Sequence, residues 1–292
     1  MSGGGPGPVY VEGRIGLRGL AGLYAEAFGR LRRSAHLRAS YLFWIALGLV
    51  LTEAFSVSVA HLQSTDTERW AAAAALGWWL FPSLVLAGGA ALLVTPAGER
   101  IDYIGVPNGL TALRAYSCLP LLLTATLSTP GRSGFVIWST TGGLIGLLDF
   151  ADGFIARRVG PLTELGRALD PAMDSLFFGT AAIGNVLLGI IPRWLMALLL
   201  FRYLAPLLAT PVVFLAGRRP ELVYTVWGRR NTAFTGVVLF VLMLVRAFYG
   251  PVDAVAIAIG VPLLGTTTVL HFIALAERTY HAPVVRERRR PD

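Results

Sequence analysis

Apolar blocks, each close to the length of a bilayer-crossing helix, occupy most of this chain. A helix needs about 20 mostly apolar residues to cross the hydrocarbon core. Such blocks run over 41–62, 71–94, 110–127, 134–149, 172–191, 194–216, 232–249 and 253–275. Hydrophobic residues make up 55% of the chain and charged residues 14%, well below the roughly 25% charged in ordinary globular domains. In lipid a helix satisfies its own backbone hydrogen bonds, and Gly and Pro within spans are tolerated. The expected fold is all-α, a polytopic transmembrane helical bundle of eight spans.

The charges orient the bundle. All 25 basic residues are Arg, and the formal net charge is +8. Arg14, Arg18, Arg30, Arg32, Arg33 and Arg38 precede the first block; Arg218, Arg219, Arg229 and Arg230 lie between the sixth and seventh; Arg278, Arg286, Arg288, Arg289 and Arg290 follow the last. If eight spans alternate, these segments share one side, and the other side's loops hold only Arg69, Arg132 and Arg193. By the positive-inside rule both termini are expected in the cytoplasm, in a multi-pass protein of the cell membrane. The basic excess then marks topology and anionic lipid head groups rather than nucleic acid.

Residues 1–40 read as a flexible basic leader, with 9–40 either an interfacial amphipathic helix or a plain juxtamembrane segment. The first apolar run starts near residue 41, so no cleavable signal peptide is expected. Residues 281–292 form a basic cytoplasmic tail. Trp44, Trp70, Trp138 and Trp194 fit an interfacial aromatic belt. Four scattered histidines show no metal-ligand spacing, and the single cysteine, Cys118, cannot form an intrachain disulfide.

Two polar segments interrupt the apolar pattern and are expected to meet at one membrane surface. The first, 95–114, contains Thr95-Pro96, which closes a span, and Pro107-Asn108, which can start a helix with Asn108 as its cap. The second, 149–174, reads as the end of one helix, a turn at Val159-Gly160-Pro161, and the start of another. Asp149 and Asp152 are three apart and Asp170 and Asp174 four apart, so each pair shares a helix face. Four converging carboxylates repel one another and are costly to desolvate. Divalent cations remove that cost: Mg²⁺ or Mn²⁺ suits carboxylate oxygens and commonly bridges them to substrate phosphates. Two ions can clamp a pyrophosphate. Gly153, Ala156 and Gly166 leave room nearby, and Arg157 offers a guanidinium to phosphate oxygens. The reading is a phosphate-ester site, set against a solvated acidic loop between spans.

The pattern Asp149-x2-Asp152-Gly153-x2-Ala156-Arg157-x8-Gly166-x3-Asp170-x3-Asp174 resembles the signature of the CDP-alcohol phosphotransferases. Pro107-Asn108-x2-Thr111-x2-Arg114 is similar to the segment opening the first catalytic span of that family, and Gly228-Arg229-Arg230-Asn231-Thr232 to its basic element. The resemblance implies six catalytic spans within 96–280, preceded by two additional N-terminal spans within 41–95. It implies that Asp149, Asp152 and Asp170 hold two Mg²⁺ or Mn²⁺ ions, with Asp174 completing the metal site and acting as general base on the acceptor hydroxyl. Asn108, Thr111, Gly153, Ala156, Arg157 and Gly166 would line the CDP pocket. A CDP-linked lipid would be the donor, a small polar alcohol the acceptor, and a homodimer the assembly.

The favoured reaction is transfer of a phosphatidyl group from CDP-diacylglycerol to glycerol 3-phosphate or inositol phosphate, releasing CMP at a cytoplasmic active site. Arg202, Arg229 and Arg230 are candidates for the acceptor's phosphate, against a role as positive-inside anchors. Where many family members carry a basic residue after the last Asp, this chain has Ser175. Two alternatives stand beside this reading. One is a CDP-choline or CDP-ethanolamine type donor acting on diacylglycerol. The other is an ion-binding transporter or scaffold without catalysis.

Overall fold

The computed structural model describes residues 17–61, 65–127, 131–159, 161–215 and 226–281. Its helices are α1 (Leu17–Arg33), α2 (Ala35–His61), α3 (Thr65–Gly89), α4 (Val106–Leu127), α5 (Arg132–Val159), α6 (Glu164–Leu187), α7 (Arg193–Leu215), α8 (Val226–Phe248), α9 (Asp253–Val255) and α10 (Thr266–His281). A 3₁₀ turn, Ala90–Leu92, extends α3, and a π-helix, Ala256–Gly265, joins α9 to α10 without a break. The described residues include no strand beyond a single Val94–Arg100 bridge.

A helix lies over every expected span. Among the described residues, five helical stretches are long and apolar enough to cross a membrane: Ala35–His61, Asp66–Leu92, Val106–Leu127, Val226–Phe248 and Asp253–Glu277. The apolar part of α5, Ser133–Leu147, is shorter. α6 carries its charges in its first half, at Glu164, Arg167, Asp170 and Asp174. The chain is a helical membrane protein.

Its packing follows membrane rules. Along α2 the buried positions are Leu37, Trp44, Gly48, Thr52, Ser56 and Ala60, largely small or polar, while Leu42, Phe43, Leu47 and Val50 are exposed. Lipid removes the hydrophobic force between helices, so close approach and hydrogen bonds hold them together, and small residues belong inside.

Two compact units make up the described chain, residues up to 120 with 144–173, and 121–143 with those from 174 onward. In the first, α2 and α3 form a hairpin packed on the N-terminal half of α4. Thr52 Oγ1 donates to the carbonyls of Gly48 and Tyr116 (2.8 and 3.2 Å), and Trp78 Nε1 donates to Ala115 O at 2.9 Å. The Ser83 and Tyr116 hydroxyls bond each other at 2.8 Å. Gly48 is required by the approach of Tyr116, whose ring lies 2.4 Å from where a Cβ would stand.

In the second unit Trp138 Nε1 donates to Asn185 Oδ1 at 3.3 Å, with its ring against Gly184. Asn231, fully buried on α8, donates through Nδ2 to Thr267 Oγ1 (2.6 Å), Thr268 Oγ1 (3.2 Å) and Leu264 O (3.3 Å). It thereby ties α8 to the end of the π-helix, where backbone carbonyls are displaced from their usual donors.

Two of the tryptophans expected in a belt are core anchors instead. Trp44 and Trp138 are buried and spend their indole N–H groups on internal acceptors, whereas Trp70 is 78% exposed. A buried indole pays for its polar edge only with such a partner.

Candidate active site

The two polar segments do meet, and they do so through one hydroxyl. Thr163 immediately precedes α6, and its Oγ1 accepts from the backbone N–H of Gly166 at 3.2 Å. This is an N-cap: the first helical N–H groups lack intrahelical acceptors, and a Thr side chain supplies one. The same Oγ1 accepts from Asn108 Nδ2 at 3.1 Å. Asn108 was expected to cap α4. The helix instead starts two residues earlier, at Val106, which places Asn108 inside the first turn with its side chain turned to α6. A Cβ on Gly166 would stand 2.9 Å from Asn108 Oδ1, so glycine permits the two first turns to approach.

Asn108, Gly166 and Thr111 are thus described side by side or in sequence on these elements. Asn108 and Thr111 are buried, at 6% and 2% exposed, and Thr111 Oγ1 donates to Pro107 O at 3.0 Å. Arg114, one turn beyond Thr111, is 2% exposed. Thr163 escaped the sequence reading. Its signal was present, a Thr directly before an acidic first turn at Glu164.

Asp170 and Asp174 lie one turn apart on α6, Asp170 exposed and Asp174 half-buried. Asp149, Asp152, Gly153, Ala156 and Arg157 fall on the last three turns of α5, and their side chains lie outside the described residues, as does that of Arg229. Among the described residues no cluster of three or more acidic, His or Cys side chains occurs.

Beside Asp174, Ser175 is buried and donates to Tyr203 O at 2.8 Å, joining α6 to α7. Asp174 and Arg202 both lie in electrostatic range of the Tyr203 phenol, whose hydroxyl donates to Thr235 Oγ1 at 3.4 Å. Arg202 is 5% exposed, and its Nη2 reaches Gly228 O at 3.4 Å. Arg230 occupies a different environment, exposed, with its guanidinium 5.1 Å from the Trp227 ring centre.

A sequence profile of the CDP-alcohol phosphatidyltransferase family matches residues 104–273, more than half of the chain. The chain belongs to the CDP-alcohol phosphatidyltransferase family. It is similar to a probable phosphatidylglycerophosphate synthase of Mycobacterium tuberculosis, 34% identical over 185 residues that cover 61% of this chain and 85% of that one. It is also similar to a CMP-forming cardiolipin synthase of Streptomyces coelicolor, 30% identical over 192 residues covering 61% and 87%. A CDP-diacylglycerol–glycerol-3-phosphate 3-phosphatidyltransferase of Rickettsia bellii is 35% identical over 83 residues, 27% of this chain and 42% of that one. This family member is a membrane-embedded transferase of phospholipid synthesis. The family match starts at Ile104, so α1, α2, α3 and the loop after them precede the matched region.

Proposed function

We propose that this CDP-alcohol phosphatidyltransferase moves a phosphatidyl group from CDP-diacylglycerol to the hydroxyl of glycerol 3-phosphate, releasing CMP. The acidic pattern from Asp149 to Asp174 carries the reading, lying within a family match that runs from Ile104 to residue 273. The names of the Mycobacterium and Rickettsia relatives support the acceptor. Inositol phosphate, the other acceptor favoured from sequence, has no such support.

The donor set is all carboxylate oxygen, which fits a hard divalent ion such as Mg²⁺ or Mn²⁺. Asp149, Asp152, Asp170 and Asp174 would hold two of them, supplying charge neutralisation to the pyrophosphate. Asp174 takes the proton from the attacking hydroxyl; a carboxylate within reach of that hydroxyl is a competent base. Asn108, Thr111, Gly153, Ala156, Arg157 and Gly166 form the CDP pocket. Burial of Asn108 and Thr111 at the start of α4 suits groups fixed in advance for a flat base and ribose. Arg202 is the preferred contact for the acceptor phosphate, being a buried guanidinium in electrostatic reach of the same phenol as Asp174. Both termini and the site face the cytoplasm, following the arginine bias, and the protein works as a homodimer.

A second reading takes its support from the relatives named cardiolipin synthase. Cardiolipin is phosphatidylglycerol bearing a second phosphatidyl group, so the acceptor would itself be a lipid. The deciding experiment follows CMP release from CDP-diacylglycerol by purified protein with Mg²⁺ or Mn²⁺. The acceptors are glycerol 3-phosphate, inositol phosphate and phosphatidylglycerol, with Asp174→Asn as control. Release with glycerol 3-phosphate alone, lost in the variant, is expected. Release only with phosphatidylglycerol would establish the second reading, and release undiminished in Asp174→Asn would remove Asp174 as base.

A further inference from the structure

The helices that precede the matched family region do more than fill membrane. Some of their contacts fall on the first turns of α4 and α6, which carry the residues assigned to the CDP pocket. α3 and its 3₁₀ turn end at Leu92, and the last carbonyls of a helix lack intrahelical donors. Arg30, on α1 and 9% exposed, fills that need: Nη1 donates to Ala90 O at 2.8 Å and Leu93 O at 3.4 Å, and Nη2 to Ile101 O at 2.8 Å. Asp102 lies 3.6 Å from Nη2. A positive charge at a helix C-terminus is also favoured by the helix dipole. A planar guanidinium can serve several carbonyls at fixed angles, which an ammonium cannot do.

The carbonyls that Arg30 gathers belong to both ends of a small hairpin. Leu93 O accepts from Ile101 N–H at 2.9 Å, and the tip turns at Gly98, whose φ of +86° suits glycine. From this hairpin and from the end of α3, one tie each runs into the family region. Val94 O accepts from Glu164 N–H at 2.9 Å, at the first residue of α6. Leu165 packs on Gly89 so closely that a Cβ there would lie 2.4 Å from its Cδ1. The loop then leaves through Ile104, which α2 holds at both polar atoms: its N–H donates to Ser40 Oγ at 2.9 Å, and its carbonyl accepts from Trp44 Nε1 at 3.1 Å. The Trp44 ring lies against Gly109, 2.1 Å from where a Cβ would stand, one residue after Asn108.

From these contacts we infer that α1 and the 90–104 hairpin are a positioning device for the nucleotide pocket, in which Arg30 and Trp44 set the register of the first turns of α4 and α6. The inference rests on the assignment of Asn108, Thr111 and Gly166 to the CDP pocket. Arg30 and Trp44 are positioning residues in this proposal, since the partners given above for both lie within the chain. Both act through the backbone of Ile101 and Ile104, and the consequence is specific. Loosening the hairpin shifts Asn108 relative to Gly166, so it weakens CDP recognition while the α7–α8 region around Arg202 keeps its own bonds.

The experiment uses the full chain, reconstituted in lipid, with Arg30→Met, Arg30→Lys and Trp44→Phe, and Arg32→Ala on the exposed side of α1 as control. The readouts are kcat, KM for CDP-diacylglycerol, KM for the acceptor, and Kd for CDP with Mg²⁺. Arg30→Met and Trp44→Phe are expected to raise KM for CDP-diacylglycerol and Kd for CDP about fivefold or more. kcat and acceptor KM should stay within about twofold, with Arg30→Lys intermediate and Arg32→Ala unchanged. Trp44→Phe keeps an aromatic ring on Gly109, so it reports even if Arg30→Met does not fold. A fall in kcat alone would mean a merely structural role and overturn the proposal, as would unchanged constants or an equal rise in acceptor KM. A wild-type chain that neither released CMP nor bound CDP would instead remove the transferase reading on which the proposal stands.

Discussion

Asn108 on α4 donates through Nδ2 to Thr163 Oγ1 at 3.1 Å, so the opening turn of α4 is keyed to the cap of α6. Thr163→Val keeps the volume and removes both bonds. Losing a cap costs about 1 kcal/mol, and the buried amide left without its acceptor adds about 1–3 kcal/mol. A lower Tm and a raised KM for CDP-diacylglycerol are expected, while Thr163→Ser, which keeps the oxygen, should stay near wild type. Thermal unfolding in detergent with parallel CMP-release kinetics checks this; a wild-type Tm in Thr163→Val would mean that the bond carries no weight.

Gly109 permits the Trp44 ring to lie on α4, and Gly109→Ala is expected to force them apart. Overpacking of this kind costs about 1–3 kcal/mol. Paired with Trp44→Leu, the alanine should cost much less than alone, because the clash partner is gone. Tm values across the four-member cycle measure that coupling; simple additivity would show that the residues do not press on each other.

Much of this was legible in sequence. Helix placement followed from apolar block length, since lipid leaves a spanning backbone few other forms. The meeting of 95–114 with 149–174 was expected from their polarity, and Thr163, Asn108 and Gly166 join them. What sequence did not reveal was the role of individual polar groups. Asn108 looked like a cap because Asn often is one, but Val106 starts the helix and frees its side chain for a distant partner. Trp44 and Trp138 looked interfacial by type, yet long-range acceptors at Ile104 O and Asn185 Oδ1 draw them inward. Arg30 looked like a topology charge; its three carbonyl acceptors lie 60 to 71 residues away. Local pattern carries no trace of such pairings.

Removing divalent metal tests the carboxylate set directly. With EDTA in excess, CMP release is expected to fall to background, and Mg²⁺ or Mn²⁺ should restore it. Asp170→Asn should raise the metal concentration needed for half-maximal rate about tenfold or more, a loss of about 1.4 kcal/mol in binding. A metal requirement unchanged in Asp170→Asn would take that residue out of the ligand set.

Two arginines proposed for the acceptor phosphate can be separated by environment. Arg202 is buried among α7 and α8, reaching Gly228 O at 3.4 Å. A charge-assisted bond from such a site is worth about 1.5–3 kcal/mol, so Arg202→Gln is expected to raise acceptor KM roughly tenfold to a hundredfold. Arg230 is exposed, and its stacking on Trp227 is worth about 0.5–1 kcal/mol at most. Arg230→Ala should therefore leave acceptor KM within about threefold and change Tm little. Steady-state kinetics with glycerol 3-phosphate at saturating CDP-diacylglycerol decides between them. A large rise in acceptor KM for Arg230→Ala, with Arg202→Gln near wild type, would move the phosphate contact to the exposed face of α8 and leave Arg202 as a helix-joining residue.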